Sequence, residues 1–363
     1  MNVLIDDKVP YIQEAAEWLL GNVRTLPGAE FGDSRELREA DALIIRTRTR
    51  CDEQLLANTK VKFVATATIG YDHIDADFMQ RAGIGWTNCP GCNASAVAQY
   101  VRNAIEEVVL TSSSDSQWST VNSQRTVGIV GYGHVGRQVK RALEDIDCRV
   151  LLNDPPLEES GVRSETSKLK SQISNLKPQP PTAFVSLQEI AEQCDVITFH
   201  TPLTKGGPYP TWHLADEGFF TCLKRKPVII NAARGGVVDE AAMLRAYSAG
   251  QVGAMVIDTW EGEPHINREL LHKAFIATPH IAGYSADGKC NATRMALRAV
   301  CDFFGVKIED EKRFLAMTAP PDDIPVAEDG MLAEATRRLK ACPQDIEMLR
   351  GNYPLRREGL REH

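Results

Sequence analysis

The stretch RTVGIVGYGHVGRQVKRALEDIDCRVLLND, residues 125–154, decides the fold of this chain. It begins with a β-branched run at residues 127–130, which has the length and composition of a buried parallel strand. Residues 137–146 carry apolar side chains at helical spacing, and residues 149–152 form a second apolar run. A strand, a helix and a strand within roughly 30 residues predict a βαβ unit.

Three glycines follow the first predicted strand in the spacing G-x-G-x-x-G, at Gly131, Gly133 and Gly136. The first permits a tight turn, the second lets backbone amides approach a pyrophosphate, and the third lets the helix pack close to the strand. Asp154 lies about twenty residues further on, where an acid accepts hydrogen bonds from a ribose 2′-hydroxyl. The pattern predicts a dinucleotide site at the helix N-terminus, the alternative being a glycine-rich turn that binds nothing.

Composition and charge are those of a soluble globular enzyme with two or three domains in 363 residues. The net charge of −8 and the pI of about 5.6 argue against a nucleic-acid or membrane-surface partner. The N-terminal sequence MNVLIDDKVPY lacks the features of a signal peptide, and no apolar run approaches the length of a bilayer span. Nine cysteines occur without the spacing of a disulfide framework, so we expect a cytoplasmic protein.

Two of the cysteines form the segment Cys89-Pro-Gly-Cys92, ahead of a predicted helix. This spacing resembles a redox motif. The alternative is a pair of thiols that lie at the start of a helix without redox chemistry.

Short apolar runs between turn residues predict two groups of strands. The first group occupies residues 2–5, 42–45, 63–66 and 84–86. The second group adds residues 195–199, 228–231, 254–257 and 275–277 to the two strands of the opening stretch, which makes six strands and a doubly wound sheet. Helical patterns occur at residues 11–20, 93–110 and 288–304, and polar surface segments are predicted at residues 111–124 and 161–181.

The order of these elements predicts an α/β protein with two domains and a C-terminal extension. Residues up to about 90 form a small βα domain of their own, to which the helix at residues 288–304 would cross back. Residues 96–284 form the Rossmann domain with a parallel sheet. Residues 306–363 are charged and interrupted by proline, so they predict a small tail module or assembly arm with a thin core.

Three polar residues, Arg234, Glu263 and His280, each follow one of three successive strands of the predicted sheet. Because ligands bind beyond the carboxyl ends of parallel strands, these side chains can converge on one crevice. A histidine can accept a proton from a hydroxyl while hydride leaves the same carbon, and a neighbouring carboxylate fixes its tautomer. An arginine can bind a carboxylate through two parallel donors. Taken singly, each residue is better explained as a cap, loop or turn residue, but together, beside a dinucleotide motif, the three favour hydride transfer.

The order and spacing of five segments resemble the D-2-hydroxyacid dehydrogenase family. These segments are RTVGIVGYGHVG, FHTPLTKGGPYPTWHLADE, VIINAARGGVVDE, VIDTWEGEP and TPHIAGY. Finer features, namely NDPP, ATATIGYDHID, PGCNA and HIAGYSADGK, resemble a branch of that family that oxidises 4-phospho-D-erythronate to 3-hydroxy-2-oxo-4-phosphobutanoate in vitamin B6 biosynthesis. The resemblance extends over about residues 1–305 and implies an NAD-dependent homodimer that uses no metal ion. It also implies a split architecture, in which residues 1–95, completed by about residues 285–305, form a flavodoxin-like substrate domain and residues 96–284 form the NAD-binding domain. Residues 306–363 are then a reduced module for dimerisation.

The resemblance also implies roles for individual residues. His280 is then the proton acceptor and donor, Glu263 its partner and Arg234 the cation that orients the substrate. Cofactor contacts are implied at Asp154, Thr201, Ala232, Asp258 and Gly283. Further candidates for cofactor binding lie in the glycine motif or beside these positions, namely Gly131, Gly133, His134, Val135, Gly136, Ala233 and Arg234. Substrate contacts are implied at Thr47, Thr68 and Tyr284. The segment 161–181 and the short C-terminal tail depart from the family pattern.

A basic cluster at Arg46, Arg48 and Arg50 follows the strand at residues 42–45. If the extended conformation continues, these alternate residues project to one side. In an acidic protein they form a candidate site for the phosphate of an anionic substrate, with Arg46 nearest to the strand. The alternative is a solvated loop in which the arginines pair with nearby acids.

Two other functions stay open at this point. One is a dehydrogenase for another 2-hydroxy acid, such as 3-phosphoglycerate or glyoxylate and hydroxypyruvate. The other is a non-catalytic protein that senses NAD on the same scaffold, since a fold does not determine a function.

Overall fold

A computed structural model describes residues 1–111, 125–144, 146–161, 184–326 and 330–359. Its strands are β1 (Asn2–Asp6), β2 (Asn22–Leu26), β3 (Ala42–Ile45), β4 (Phe63–Thr66), β5 (Gly85–Thr87), β6 (Arg125–Val130), β7 (Cys148–Asn153), β8 (Val196–Phe199), β9 (Val228–Asn231), β10 (Ala254–Ile257) and β11 (Ile276–Ala277). Its helices are α1 (Gln13–Leu20), α2 (Arg35–Glu39), α3 (Glu53–Leu56), α4 (Ala76–Ala82), α5 (Ala94–Thr111), α6 (His134–Ala142), α7 (Pro155–Glu159), α8 (Leu187–Gln193), α9 (Glu217–Thr221), α10 (Glu240–Ser248), α11 (Arg268–Lys273), α12 (Ala286–Phe304), α13 (Glu311–Met317), α14 (Met331–Ala341) and α15 (Ile346–Gly351).

The chain divides into two compact units. The first consists of Met1–Ala94, Tyr284–Val326 and Leu355–Glu358. The second consists of Ser95–Gly283 together with residues 330–354. The chain therefore leaves the first unit at the start of α5, returns to it at Tyr284, and contributes α14 and α15 to the second unit.

The first unit contains a five-stranded parallel sheet in the order β2-β1-β3-β4-β5. Strands β3 and β4 are buried along their whole length because helices cover both faces of a parallel sheet. Helix α12 lies against β3 and β4 and buries an apolar stripe that includes Ala296, Leu297 and Val300. The hydroxyl of Ser285 caps the N-terminus of this helix, and Gly305 ends it with a φ of 71°.

The second unit contains a six-stranded parallel sheet in the order β11-β10-β9-β8-β6-β7. Successive strands proceed from β6 in opposite directions, to β7 on one side and to β8 on the other. A crevice for a ligand forms at the carboxyl ends of the strands at such a switch point. The predicted doubly wound Rossmann architecture with a second parallel α/β unit is confirmed.

Several elements differ from their predicted extents. Helix α6 begins at His134, three residues before the predicted start, because Gly133 is its N-cap. The edge strand β2 was not predicted, since Val23 is its one buried residue and it contains no apolar run. Helices α13, α14 and α15 were also not predicted in the charged C-terminal region. The predicted surface segments at residues 111–124 and 161–181 lie outside the described residues, apart from Thr111, which ends α5, and Gly161, which lies in a turn.

Helix α14 is amphipathic despite its charged composition. Leu332, Ala335 and Leu339 are buried, and the Thr336 hydroxyl accepts a hydrogen bond from the backbone N–H of Ala277 in β11 at 3.0 Å. This helix therefore covers the outer edge strand of the second sheet. None of the helices in the described ranges is long and apolar enough to cross a membrane.

Candidate active site

The glycine motif forms the tight turn that its spacing predicts. Gly131 has a φ of 92°, and a Cβ there would lie 2.8 Å from the carbonyl oxygen of His200. A Cβ on Gly136 would overlap the carbonyl oxygen of Gly131, whereas the space around Gly133 is open. The backbone of the turn therefore lies directly against the chain after β8 and leaves room above Gly133, at the N-terminus of α6.

Asp154 closes the same region at the end of β7. One of its carboxylate oxygens accepts a hydrogen bond from the backbone N–H of Tyr132 in the glycine turn, at 2.7 Å. The other accepts from the N–H of Leu157 at 3.1 Å and caps α7. Because each carboxylate oxygen has two lone pairs, acceptor capacity for a ribose hydroxyl is left.

Buried polar atoms beside the glycine turn fit a bound dinucleotide. Among the described residues, the hydroxyl of Thr201 and Nδ1 of His200 are buried without a hydrogen-bond partner. A buried polar atom without a partner costs free energy, so a ligand that supplies one is favoured there. Burial also lowers the pKa of His200 to about 3, which keeps its imidazole neutral at this position.

A buried carboxylate, Asp258, shapes the loop that carries His280. Its oxygens accept hydrogen bonds from the hydroxyl of Thr278 at 2.6 Å and from the N–H groups of Ile281 at 2.7 Å and Ala282 at 2.9 Å. Burial raises the pKa of Asp258, although nearby His280 and these donors oppose the change. Because three donors within the protein already bind its oxygens, the main role of Asp258 is to support the loop that continues to Gly283.

The backbone of His280 has a conformation that residues other than glycine rarely adopt. Its φ of 56° is left-handed, and its backbone N–H donates to the carbonyl of Asp258 at 2.9 Å. Its Nδ1 lies 3.0 Å from Oε2 of Glu263. The other oxygen of Glu263 accepts from the backbone N–H of Trp260 at 2.9 Å. The hydrogen bond and charge of His280 lower the pKa of Glu263 against the effect of burial, so the carboxylate is ionised.

The indole of Trp260 connects this pair to the loop after β11. Its Nε1 donates to the carbonyl of Thr278 at 2.9 Å, and the Thr278 hydroxyl lies 2.8 Å from that of Tyr100. Trp260, Thr278 and Tyr100 are almost completely buried. None of these residues was selected from the sequence, where a buried tryptophan and tyrosine look like ordinary core residues.

Arg234 follows β9, the neighbour of β10 in the sheet. The carbonyl of Arg234 accepts from Nδ2 of Asn231 at 3.0 Å, and its guanidinium donates to the carbonyl of Ala233 at 2.8 Å. The next residue, Gly235, lies so close to Trp260 that a Cβ would overlap the Trp260 carbonyl. The segment from Ala232 to Gly235 is thus packed against the loop that carries Glu263.

Glu240 is a second carboxylate behind this loop. It is the first residue of α10, is 6% exposed, and accepts a hydrogen bond from the N–H of Glu261 at 2.7 Å. Burial raises the pKa of Glu240 to about 7, and the charges of Glu261, Glu263 and Asp239 contribute to this increase. The sequence offered no signal for it, because an acid at the start of a helix normally faces solvent.

The arginines of the first unit are arranged differently from the prediction. The extended conformation ends at Ile45, and residues 46–49 form a turn closed by a hydrogen bond from the Thr49 N–H to the Arg46 carbonyl at 3.1 Å. The three arginines therefore do not alternate along a strand. Arg50 pairs with Asp52 at 2.9 Å, which is the kind of ion pair that the alternative interpretation expected of these arginines. The guanidinium of Arg46 donates to the Lys8 carbonyl at 3.1 Å.

The other candidate substrate residues also lie in the first unit. Thr47 is exposed in the turn after β3. The hydroxyl of Thr68, after β4, donates to the Gly70 carbonyl at 2.9 Å and lies 2.7 Å from the Thr66 hydroxyl. Tyr284 is half-buried, and its ring lies 3.9 Å from Nζ of Lys289. Lys289 was not selected from the sequence.

The Cys89 and Cys92 thiols do not have the environment of a redox pair. Both are free and buried, and burial raises the pKa of each to about 12. A reactive cysteine needs an accessible thiolate. The alternative interpretation therefore fits them: they are two thiols packed at the start of a helix.

The family model for the D-isomer specific 2-hydroxyacid dehydrogenase, NAD binding domain, matches residues 95–282. Fold and match together define an NAD-dependent dehydrogenase, as the sequence predicted. Erythronate-4-phosphate dehydrogenase of Bacteroides thetaiotaomicron is 46% identical over 99% of this chain and 97% of its own length. The enzyme of the same name from Escherichia fergusonii is 38% identical over 99% of this chain and 92% of its own length. The chain belongs to the erythronate-4-phosphate dehydrogenases of the D-isomer specific 2-hydroxyacid dehydrogenase family.

Solved structures share the fold. The D-lactate dehydrogenase of Aquifex aeolicus, complexed with NAD and lactic acid, aligns with a TM-score of 0.56 and 23% identity over 84% of this chain and 96% of that chain. At this level of identity the likeness concerns the architecture alone.

Proposed function

We propose that this protein oxidises 4-phospho-D-erythronate at C2 to (R)-3-hydroxy-2-oxo-4-phosphobutanoate, with NAD reduced to NADH. The observation that carries the proposal is the pair of Glu263 and His280, joined at 3.0 Å at the carboxyl edge of the Rossmann sheet. The substrate is taken from the name of the relatives, which are similar over nearly the whole chain.

His280 is the proton acceptor in this proposal. Glu263 is ionised and can only accept, so it holds the proton on Nδ1 of the neutral imidazole. Nε2 then presents a lone pair, and it takes the proton from the C2 hydroxyl as the C2–H bond breaks. The imidazolium that forms is stabilised by the carboxylate beside it.

Arg234 orients the substrate and stabilises charge on it. A guanidinium binds a carboxylate through two parallel donors and remains charged at every accessible pH. Its own backbone is anchored by Asn231, and its side chain is oriented by the Ala233 carbonyl. These contacts restrict the guanidinium before substrate arrives, which lowers the entropic cost of binding.

The bound NAD supplies the hydride acceptor. The residues that would hold it are the amides above Gly133 at the start of α6, the carboxylate of Asp154 and the hydroxyl of Thr201. His134, Val135, Ala232, Asp258 and Gly283 complete the proposed set. Asp258 contributes mainly by supporting the loop at residues 278–282.

The first unit is proposed to be the substrate domain, with contacts from Thr47, Thr68 and Tyr284. We further propose a cytoplasmic homodimer that acts in vitamin B6 biosynthesis, to which the residues after 305 contribute dimer contacts. Sedimentation velocity of the full chain, compared with a variant in which the exposed Leu315 and Met348 are replaced by serine, would measure the assembly, and the wild type is expected to sediment as a dimer.

A substrate panel with NAD tests the proposed function. NADH formation is followed at 340 nm with 4-phospho-D-erythronate, 3-phosphoglycerate, glycerate and lactate. The highest kcat/KM is expected with 4-phospho-D-erythronate. A higher value with another acid would assign a different dehydrogenase activity, and NAD binding without turnover of any acid would favour a sensor.

A further inference from the structure

The first turns of α12 lie at the carboxyl edge of the first sheet. The Thr293 hydroxyl donates to the Pro10 carbonyl, beyond β1, at 2.7 Å. The buried thiol of Cys89 lies 3.3 Å from the carbonyl oxygens of both Thr66, at the end of β4, and Ala292. These contacts place the start of a 19-residue helix where the strands of this sheet end, which is the edge at which such sheets bind ligands.

Lys289 is a half-buried cation at this edge. Lys289 belongs to the first turn of α12, and its ammonium lies 3.9 Å from the centre of the Tyr284 ring. Within the described ranges no carboxylate lies at ion-pair distance from it. Burial lowers the pKa of Lys289, although the phenol of Tyr284 opposes the change. A partly desolvated ammonium without a carboxylate partner favours an anion as its neighbour.

The carboxylates near the start of α12 accept hydrogen bonds from groups other than Lys289. Asp287 accepts hydrogen bonds from the guanidinium of Arg357 at 2.9 Å and from the N–H of Glu358 at 2.8 Å. Glu358 in turn accepts from the hydroxyl of the N-cap Ser285 at 2.6 Å. These contacts join Asp287 to the C-terminal segment at residues 355–358, which carries Glu358.

A second cation, Arg46, acts electrostatically on Lys289. It follows β3, the neighbour of β4, and is anchored through the Lys8 carbonyl. Its charge is close enough to contribute to the lowered pKa of Lys289. Lys289, in the first turn of a long helix, and Arg46 repel each other, and together they offer donors to a dianion. A dianion bound between them would relieve this repulsion.

We propose that Lys289, with Arg46, binds the phosphate group of the substrate. The inference rests on the proposed function, because it assumes a phosphomonoester on the carbon chain of the 2-hydroxy acid. It assigns recognition of the phosphate to the segment SADGK at residues 285–289, together with the first arginine of the cluster after β3.

The test compares one ligand that carries the phosphate with one that lacks it. KM is measured for 4-phospho-D-erythronate, and the inhibition constant for D-erythronate as a competing ligand, in wild type, Lys289→Ala and Arg46→Ala. Each variant is expected to raise KM roughly tenfold to hundredfold and to leave the constant for D-erythronate within about twofold, because only the phosphate contact is lost. Lys289→Arg keeps a charge and should recover part of the loss.

Lys312→Ala is the matched control, since Lys312 is an exposed lysine of the same unit. It should change neither constant. NAD affinity, measured by fluorescence titration, should be unchanged in every variant and reports that the protein is folded.

Two failures can be told apart. If the wild type does not oxidise 4-phospho-D-erythronate, the proposed function is wrong. If the wild type does so but Lys289→Ala weakens both ligands equally, or neither, the lysine does not bind the phosphate and the inference is wrong.

Discussion

Glu240 provides a test of the electrostatics behind the candidate site. The residue is 6% exposed, and burial together with the charges of three neighbouring carboxylates raises its pKa to about 7. One hydrogen bond, from the N–H of Glu261, opposes this increase. The folded protein therefore retains a proton on Glu240 at a pH at which an unfolded chain has released it.

The sign and size of the effect follow from this difference. An acid whose pKa is higher in the folded state destabilises that state as pH rises above the unfolded value. The loss begins near the ordinary pKa of 4.5 and is complete above the folded pKa of about 7. At roughly 1.4 kcal/mol per pH unit this step corresponds to about 3 kcal/mol.

The substitution Glu240→Gln removes the titration and keeps an oxygen that can accept from the Glu261 N–H. At pH 5 the variant should be more stable than the wild type by less than about 1 kcal/mol, since pH 5 lies only slightly above the ordinary pKa of 4.5 at which the loss begins. At pH 8 the variant should be more stable by about 3 kcal/mol. For a unit of this size that is roughly a 6 °C higher Tm.

Differential scanning calorimetry of both proteins without cofactor, between pH 5 and pH 8, measures the difference. Glu347→Gln, at an exposed carboxylate of α15, is the matched control and should shift the Tm by less than about 1 °C at any pH. A difference in Tm between Glu240→Gln and wild type that is the same at pH 5 and pH 8 would show that Glu240 does not retain its proton, and would refute the reasoning.

Three further predictions concern the chemistry. His280→Ala should lower kcat by about a hundredfold or more while NAD binding survives, because general acid–base catalysis is lost; near-normal turnover in a stopped-flow or steady-state assay would reject the assignment. Arg234→Lys should lose a large part of kcat/KM, because an ammonium cannot replace two parallel donors, and a variant with most of its activity would contradict the two-donor clamp. NAD should support faster turnover than NADP at equal concentration, because the Asp154 carboxylate repels a 2′-phosphate and Pro155, not a basic residue, follows it. Faster turnover with NADP would exclude that role for Asp154.

The fold was largely predictable because its signals are local. Strands β3, β4, β9 and β10 are short apolar runs between turn residues, and a strand that is buried on both faces needs no other signal. The edge strand β2 has no such run, since Val23 alone is buried. Helix α14 was missed for a related reason: its buried face, with Leu332 and Leu339, is narrow and lies among charged residues.

The sequence by itself determined the βαβ unit at residues 125–154, the doubly wound sheet and the three polar residues that follow its strands, because each depends on residue type and spacing along the chain. Only the tertiary structure decided how those residues are supported. The 3.0 Å pair of Glu263 and His280 depends on the buried Asp258, which begins the loop that carries Glu263 and accepts hydrogen bonds from the separate loop that carries His280.

The same reason explains what sequence reasoning placed incorrectly or overlooked. Whether Arg46 continues a strand or enters a turn depends on the hydrogen bond from Thr49, and whether Glu240 is charged depends on burial. Lys289 acquires its significance from Tyr284 and from the helix that brings it to the sheet edge. Desolvation and charge proximity are properties of three-dimensional neighbours, and no pattern along the chain reports them.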